Sequence, residues 1–299
     1  MDFPDKWRDL EFDPFAIDLG PDLTLDFVLG YPHAANDVLV CEGRMRGKPI
    51  RFVLKYQRSP SAQFANEARI LQQIESVIPR APKLLHAVTD DSAEGRYLVV
   101  AFMDGVRLPG DLSGDNWASA RQDLGPFLDE WARALSTVHS QHPAAALAPA
   151  RKQHSLPIVS AENPSREWIE KTLRALESHP AQSKHRVFVH GDMHYANILW
   201  DQSQIVGLLD WEFAGLGWRE FDVAWAIFPR QTQHFLLEIS QIQRFIGAYE
   251  NTAEIDQECI RWCFALIATH FLSQTSTWKD SDYHERVKRL VESWTKVWS

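Results

Sequence analysis

A chain of 299 residues, 45% hydrophobic and 24% charged, has the make-up of a globular protein with a large core, in one domain or two. Its net charge of -9 argues against a nucleic-acid partner, which normally meets a basic face. Three cysteines make no disulfide framework and point to a reducing compartment. The amino-terminal MDFPDKWRDLEFDPF lacks the basic and apolar regions of a signal peptide, and no apolar run is long enough to span a bilayer. A soluble, cytoplasmic protein with no membrane partner is expected.

Residues 1–22 carry acidic groups among scattered aromatics (Phe3, Trp7, Phe12, Phe15) and read as a short helix or an extension packed on the first lobe. A strand over 23–29, a turn GYPHAAN over 30–36 and a returning strand over 38–42 follow. A basic turn over 43–48 leads into PIRFVLKY, a strand over 49–56. There Phe52 and Leu54 share one face, and Arg51, Val53 and Lys55 share the other. Ser59-Pro60-Ser61 starts a helix running to about residue 77, with Phe64, Ala68, Leu71, Ile74 and Ile78 as its apolar stripe. Glu67 falls inside that stripe. A buried carboxylate needs a cation or stays protonated, and Lys55 is the cation at hand; a rim glutamate reaching solvent is the plainer alternative. Strands over 84–88 and 96–102 complete a five-stranded antiparallel sheet, after which Phe102-Met103-Asp104-Gly105 gives way to a turn.

Beyond residue 102 the pattern is mostly helical. Residues 126–140 place Phe127, Leu128, Trp131, Leu135 and Val138 on one face, 141–160 read as a loop, and Asn163-Pro164 caps a helix with Trp168, Thr172 and Leu176 in line. Residues 187–209, VFVHGDMHYANILWDQSQIVGLL, break the helical pattern. A strand (Val187, Phe188, Val189) delivers His190-Gly191-Asp192-Met193-His194. Asn197 and a second strand (Ile198, Leu199, Trp200) follow, and a third strand over 205–209 runs into Asp210-Trp211-Glu212. A short buried helix over 221–228 and helices near 234–249, 253–272 and 283–298 complete the chain; the last carries Val287, Leu290, Val291, Trp294 and Trp298 on its core face. Cys259 and Cys263 lie one helical turn apart with His270 beyond. They lack a fourth zinc ligand at usual spacing and read as buried helix cysteines.

The chemistry concentrates in the stretch after the 187–189 strand. Singly, His, Asp and Asn after a strand make ordinary polar turns. Together, Asp192, Asn197 and Asp210 present two carboxylates and one amide oxygen, hard ligands suited to Mg²⁺. An Asp, an Asn five residues on and a strand-terminal Asp beyond is also the layout of the kinase catalytic loop and its metal-binding aspartate.

At these residues the chain resembles the aminoglycoside phosphotransferase and choline kinase-like family, the small-molecule branch of the kinase-like fold. The resemblance rests on His190-Gly191-Asp192-x-His194-x-x-Asn197 followed by Asp210-Trp211-Glu212. It implies an α+β, protein-kinase-like two-lobed fold, with a nucleotide-binding lobe over 1–102 and a mostly helical lobe over 103–299 holding the acceptor site. It implies a Mg²⁺-dependent kinase that moves the γ-phosphate of ATP, or of GTP in its place, to a hydroxyl of a small molecule. That acceptor would be an aminoglycoside-like antibiotic or another sugar or amino-alcohol metabolite, with choline, homoserine and methylthioribose as metabolic alternatives. Asp192 would be the catalytic base, Asn197 and Asp210 the metal ligands, and Lys55, held by Glu67, the phosphate-binding cation. Adenine would bond backbone groups around Val100, Phe102 and Met103. The 30–36 hairpin, with one glycine where protein kinases have three, would cover the phosphates. His190 and Asp222 would brace the loop, His194 would touch the transferred phosphate or pack, and Glu212 would stand behind the metal. A monomer or homodimer is expected. Two other readings stay open: a metallohydrolase built on His190-x-Asp192-x-His194, and a nucleotide-binding module without turnover.

Overall fold

The computed structural model describes residues 4–32, 34–60, 62–90, 95–107, 124–143, 150, 156–181, 183, 186–231, 233 and 235–295. The chain divides into two compact units, Met1–Asp104 with Gly207–Phe213, and Gly105–Val206 with Ala214–Ser299.

In the first unit β1 (Leu23–Gly30), β2 (Asp37–Met45), β3 (Lys48–Tyr56), β4 (Leu84–Val88) and β5 (Tyr97–Ala101) form one antiparallel sheet in the order β1-β2-β3-β5-β4. The hairpin between β2 and β3 is tighter than the basic turn expected, because β2 runs on to Met45 and leaves Arg46-Gly47 to turn. Strand alternation sorts the side chains. Phe52 and Leu54 of β3 and Tyr97 and Val99 of β5 enter one buried cluster with Leu19, Leu23, Leu39 and Cys41. Leu98, between the two β5 residues, faces a second cluster with Phe64 and Ala68 of α1 (Phe64–Ile74). Gly43 is required where β2 meets β1: an added Cβ would sit 1.8 Å from the Thr24 carbonyl oxygen.

Residues 4–22 contain no helix and form the extension, with Leu10, Phe12 and Ile17 packed on the first cluster. The ion pair from Arg8 to the buried Asp37 (2.7 Å), the Arg58 guanidinium donating to the Asp9 carbonyl (2.6 Å), and the Tyr97 hydroxyl bonded to the Asp18 carbonyl hold it down. α1 starts five residues later than the Ser59 start predicted. The Arg58 and Ser59 amides donate to Asn36 Oδ1 and hold the chain out of helix there, while Ser61 lies outside the described residues.

The second unit holds α2 (Gly125–His139), α3 (Arg166–Ser178), α4 (Arg219–Ile227), α5 (Ile239–Glu250), α6 (Gln257–Ser273) and α7 (Ser281–Trp294). Among the strands, β7 (Arg186–Val189) pairs with β10 (Gly215–Trp218), and β6 (Val106–Arg107), β8 (Ile198–Asp201) and β9 (Gln204–Leu208) make a small sheet. α6 is buried on nearly all sides, with Cys259 and Cys263 inside it and burial raising the Cys263 thiol above its ordinary range. Three helix starts move from their expected places because nearby side chains set them. Asn163 makes a turn that accepts the Ser165 amide at 2.7 Å, so α3 begins at Arg166. Asp256 caps α6, and Asp280 caps α7. α5 begins at Ile239; the His234 start and Trp298 lie outside the described residues. Among the described residues no helix is long and apolar enough to cross a membrane.

Candidate active site

In the second unit, β7 carries the chain to His190 and then to Gly191, whose φ of 80° suits a residue without Cβ. The His190 and Gly191 amides both donate to Asp222, at 2.9 and 3.0 Å. Asp222 is fully buried in the first turn of α4, where the helix N-terminus favours a negative charge. His139 Nε2, from the last turn of α2, lies 3.1 Å from the same carboxylate, and its Nδ1 lies 2.6 Å from the Tyr249 hydroxyl of α5. Burial holds the Tyr249 phenol above its ordinary pKa, so it stays a hydroxyl. Three helices therefore converge on one loop through a single carboxylate.

The loop presents Asp192, which is 8% exposed. Its amide donates to His190 Nδ1 at 3.3 Å, and its Oδ1 accepts from Trp225 Nε1 at 2.8 Å. Asn197 Nδ2 donates to the Asp192 carbonyl at 3.0 Å and to Oδ2 at 3.3 Å. The amide nitrogen of Asn197 is thereby spent on Asp192, which leaves its oxygen as the end fit for a cation. His194 Nδ1 accepts from Ala196 and caps the 3₁₀ turn Tyr195–Asn197, so its proton sits on Nε2, 3.9 Å from Asp192 Oδ2.

In the first unit, Leu208 donates to the Arg80 carbonyl at 2.7 Å, and the chain then bends at Asp210, which adopts φ 67°. Asp tolerates this left-handed backbone better than most residues, and such strain collects at functional sites. Trp211, fully buried, donates to the Leu208 carbonyl and fixes the bend. Glu212 accepts the Gln63 amide at 2.9 Å and, through its carbonyl, the Asn66 side chain, so it caps the start of α1. That cap also explains the late start of α1.

Lys55 Nζ lies 2.6 Å from Glu67 Oε2 and 2.8 Å from Asp210 Oδ1. Burial acts to lower the Lys55 pKa, but the Asp210 and Glu67 charges outweigh it and hold the ammonium charged. Glu67 is pushed up to about 7, first by burial, with Asp210 adding to the push against the opposing pull of Lys55. One ammonium serves two carboxylates. Lys55→Ala and Glu67→Ala should therefore not be additive, with a coupling of roughly 0.5–3 kcal/mol in denaturation experiments. Additive losses would mean that the two side chains act separately. Because the folded pKa of Glu67 is raised from 4.5 to about 7, its contribution is full below pH 4.5 and declines as pH rises through 7. Glu67→Gln should flatten that decline in a stability–pH series; an unchanged slope would place its origin elsewhere.

Val100, Phe102 and Met103, expected to meet an adenine, fall at and just past the end of β5. Val100 pairs with Val53 and Leu84 in the sheet, and the Phe102 amide donates to the Arg51 carbonyl at 3.2 Å. Met103 follows beyond the ladder, and Arg51 lies over the Phe102 ring while pairing with Asp104 at 2.9 Å. Sequence reasoning missed His139 and Tyr249, which carry no local signal. It also missed Trp225 as a partner of Asp192, although its place one turn after Asp222 was a usable one. Among the described residues no three or more His, Cys, Asp or Glu side chains are grouped to hold a metal.

Comparison with known proteins bears on the family and the fold. The model of the phosphotransferase enzyme family (APH) matches residues 34–262. A thermostable mutant of aminoglycoside phosphotransferase APH(4)-Ia, in a ternary complex with ADP and hygromycin B, is 14% identical with a TM-score of 0.62, over 92% of this chain and 95% of that one. Amicoumacin kinase hAmiN, in complex with AMP-PNP, Ca²⁺ and Ami, is 17% identical at a TM-score of 0.55, over 92% and 89%. Choline kinase LicA from Streptococcus pneumoniae is 15% identical at 0.56, over 85% and 90%. At these identities the likeness is one of fold, α+β and kinase-like.

Proposed function

We propose a reaction from one premise: the chain belongs to the phosphotransferase enzyme family. The enzyme is a small-molecule kinase, and its reaction is the transfer of the γ-phosphoryl group of ATP, or GTP, to a hydroxyl of a small acceptor. The observation that carries this reading is Asp192, held at Oδ1 by Trp225 and at Oδ2 by Asn197 on a loop braced by Asp222. A positioned carboxylate of this kind orients the acceptor hydroxyl and takes its proton as the phosphorus–oxygen bond forms. Lys55 binds the α- and β-phosphates and Glu67 keeps it aimed. Met103 offers the adenine its backbone, since the Phe102 amide is spent within the sheet.

The donor set fits Mg²⁺: the Asp210 carboxylate, a third exposed, and the Asn197 amide oxygen are both hard ligands. When bound, Mg²⁺ would neutralise phosphate charge. Hygromycin B, amicoumacin and choline name the acceptor classes of similar proteins and support a hydroxylated acceptor that is an antibiotic or an amino-alcohol metabolite. Nucleotide titration with and without Mg²⁺ tests the reading. Tight binding should require Mg²⁺ in the parent, and Asp210→Ala should lose the gain in affinity that Mg²⁺ brings, with its fold intact. Metal-independent binding in the parent would remove Asp210 and Asn197 from the metal site.

A further inference from the structure

We propose that Trp225 is the positioning residue that selects which oxygen of Asp192 accepts the acceptor's proton; the proposal rests on the kinase reading above. The indole ring is closed in by the protein's own side chains. Phe221 stacks on it with centroids 6.2 Å apart, Phe271 leans on it at 5.6 Å, and the Arg230 guanidinium lies 4.7 Å from its centroid. Arg230 is itself held by the Trp225 and Phe228 carbonyls and lies 4.8 Å from the Phe271 ring. Three neighbours fix the plane of the half-buried Trp225 ring. It offers its edge, and that edge ends in an N–H 2.8 Å from Asp192 Oδ1.

A carboxylate rotates about its Cβ–Cγ bond, and each oxygen is a potential base. Here Trp225 commits Oδ1 at 2.8 Å, while Oδ2 meets longer contacts, Asn197 Nδ2 at 3.3 Å and His194 Nε2 at 3.9 Å. Oδ2 is therefore the oxygen that receives the proton as the acceptor oxygen attacks phosphorus, with ADP leaving. Trp225 and Asp222 sit three residues apart on α4, so one helix fixes both the loop backbone and the carboxylate it carries.

Trp225→Phe is the test, because it keeps an aromatic ring among Phe221, Phe271 and Arg230 while deleting the N–H donor. With ADP release from Mg-ATP to water as the probe, kcat should fall about 10-fold or more, since one hydrogen bond to a charged group is lost. KM for ATP and the melting temperature should stay at the parent's values. In an Asp192→Ala background the same change should have no further effect on the residual rate. A rise in KM with a fall in melting temperature and rate together, in either background, would show a merely structural role and overturn the proposal. A second readout needs no turnover: the Trp225 indole N–H resonance should move upfield in Asp192→Ala while the other indoles stay. An unmoved resonance overturns the positioning role. An absence of any phosphoryl transfer in the parent, with the resonance moving as expected, would instead count against the kinase reading.

Discussion

Asp192→Asn should lower phosphoryl transfer by about 10²–10⁴-fold while leaving Mg-nucleotide affinity at the parent's value. Asparagine keeps the size of the side chain and an acceptor for the Trp225 N–H, so the loop survives. What it loses is the charge that draws the hydroxyl proton. Nucleotide binding is assigned to other groups, Lys55 with Glu67, Asp210 and Asn197, and should pass through the change untouched. Parallel rate and isothermal titration measurements decide it. A variant that transfers phosphate at the parent's rate would remove Asp192 from the chemistry.

The second large effect belongs to Asp222. Its carboxylate is fully buried and accepts from the His190 and Gly191 amides and from His139. Asp222→Ala leaves two backbone donors and a histidine without their acceptor inside the fold. Removing one partner from such a buried charged network costs about 3–5 kcal/mol. A loss of that size, read by urea denaturation, should accompany loss of turnover, since the loop that carries Asp192 is no longer held. A loss below about 1 kcal/mol would mean that water or a neighbour replaces the carboxylate.

The strands and most of the helices were legible because each buries one face, and a period of two or 3.6 shows in the sequence. The five-stranded sheet, α2 and the strands around the loop fall within a few residues of their expected places. The errors lie at ends set by distant partners. α1 begins late because Asn36 holds residues 58 and 59 and Glu212 caps the start, contacts 22 and 149 residues apart in sequence. Lys55 and Glu67 were legible as a pair because a carboxylate inside an apolar stripe demands a cation. Asp210 as a second partner of Lys55 was not, since that contact spans 155 residues. His139 was legible only as part of a core helix; its bond to Asp222 exists only once α2 and α4 have packed. The loop motif itself could be read because its residues are close in sequence and their spacing is fixed by the strand-loop-strand geometry.

The most direct test of the central claim is transfer of label from γ-labelled ATP, with Mg²⁺, to a panel of hydroxylated antibiotics and amino-alcohol metabolites. The account predicts label on the hydroxyl oxygen of at least one acceptor in the parent, and none above background in Asp192→Asn. Nucleotide bound with Mg²⁺ but no label transferred to any acceptor or to water would contradict it, and would make the chain a nucleotide-binding module.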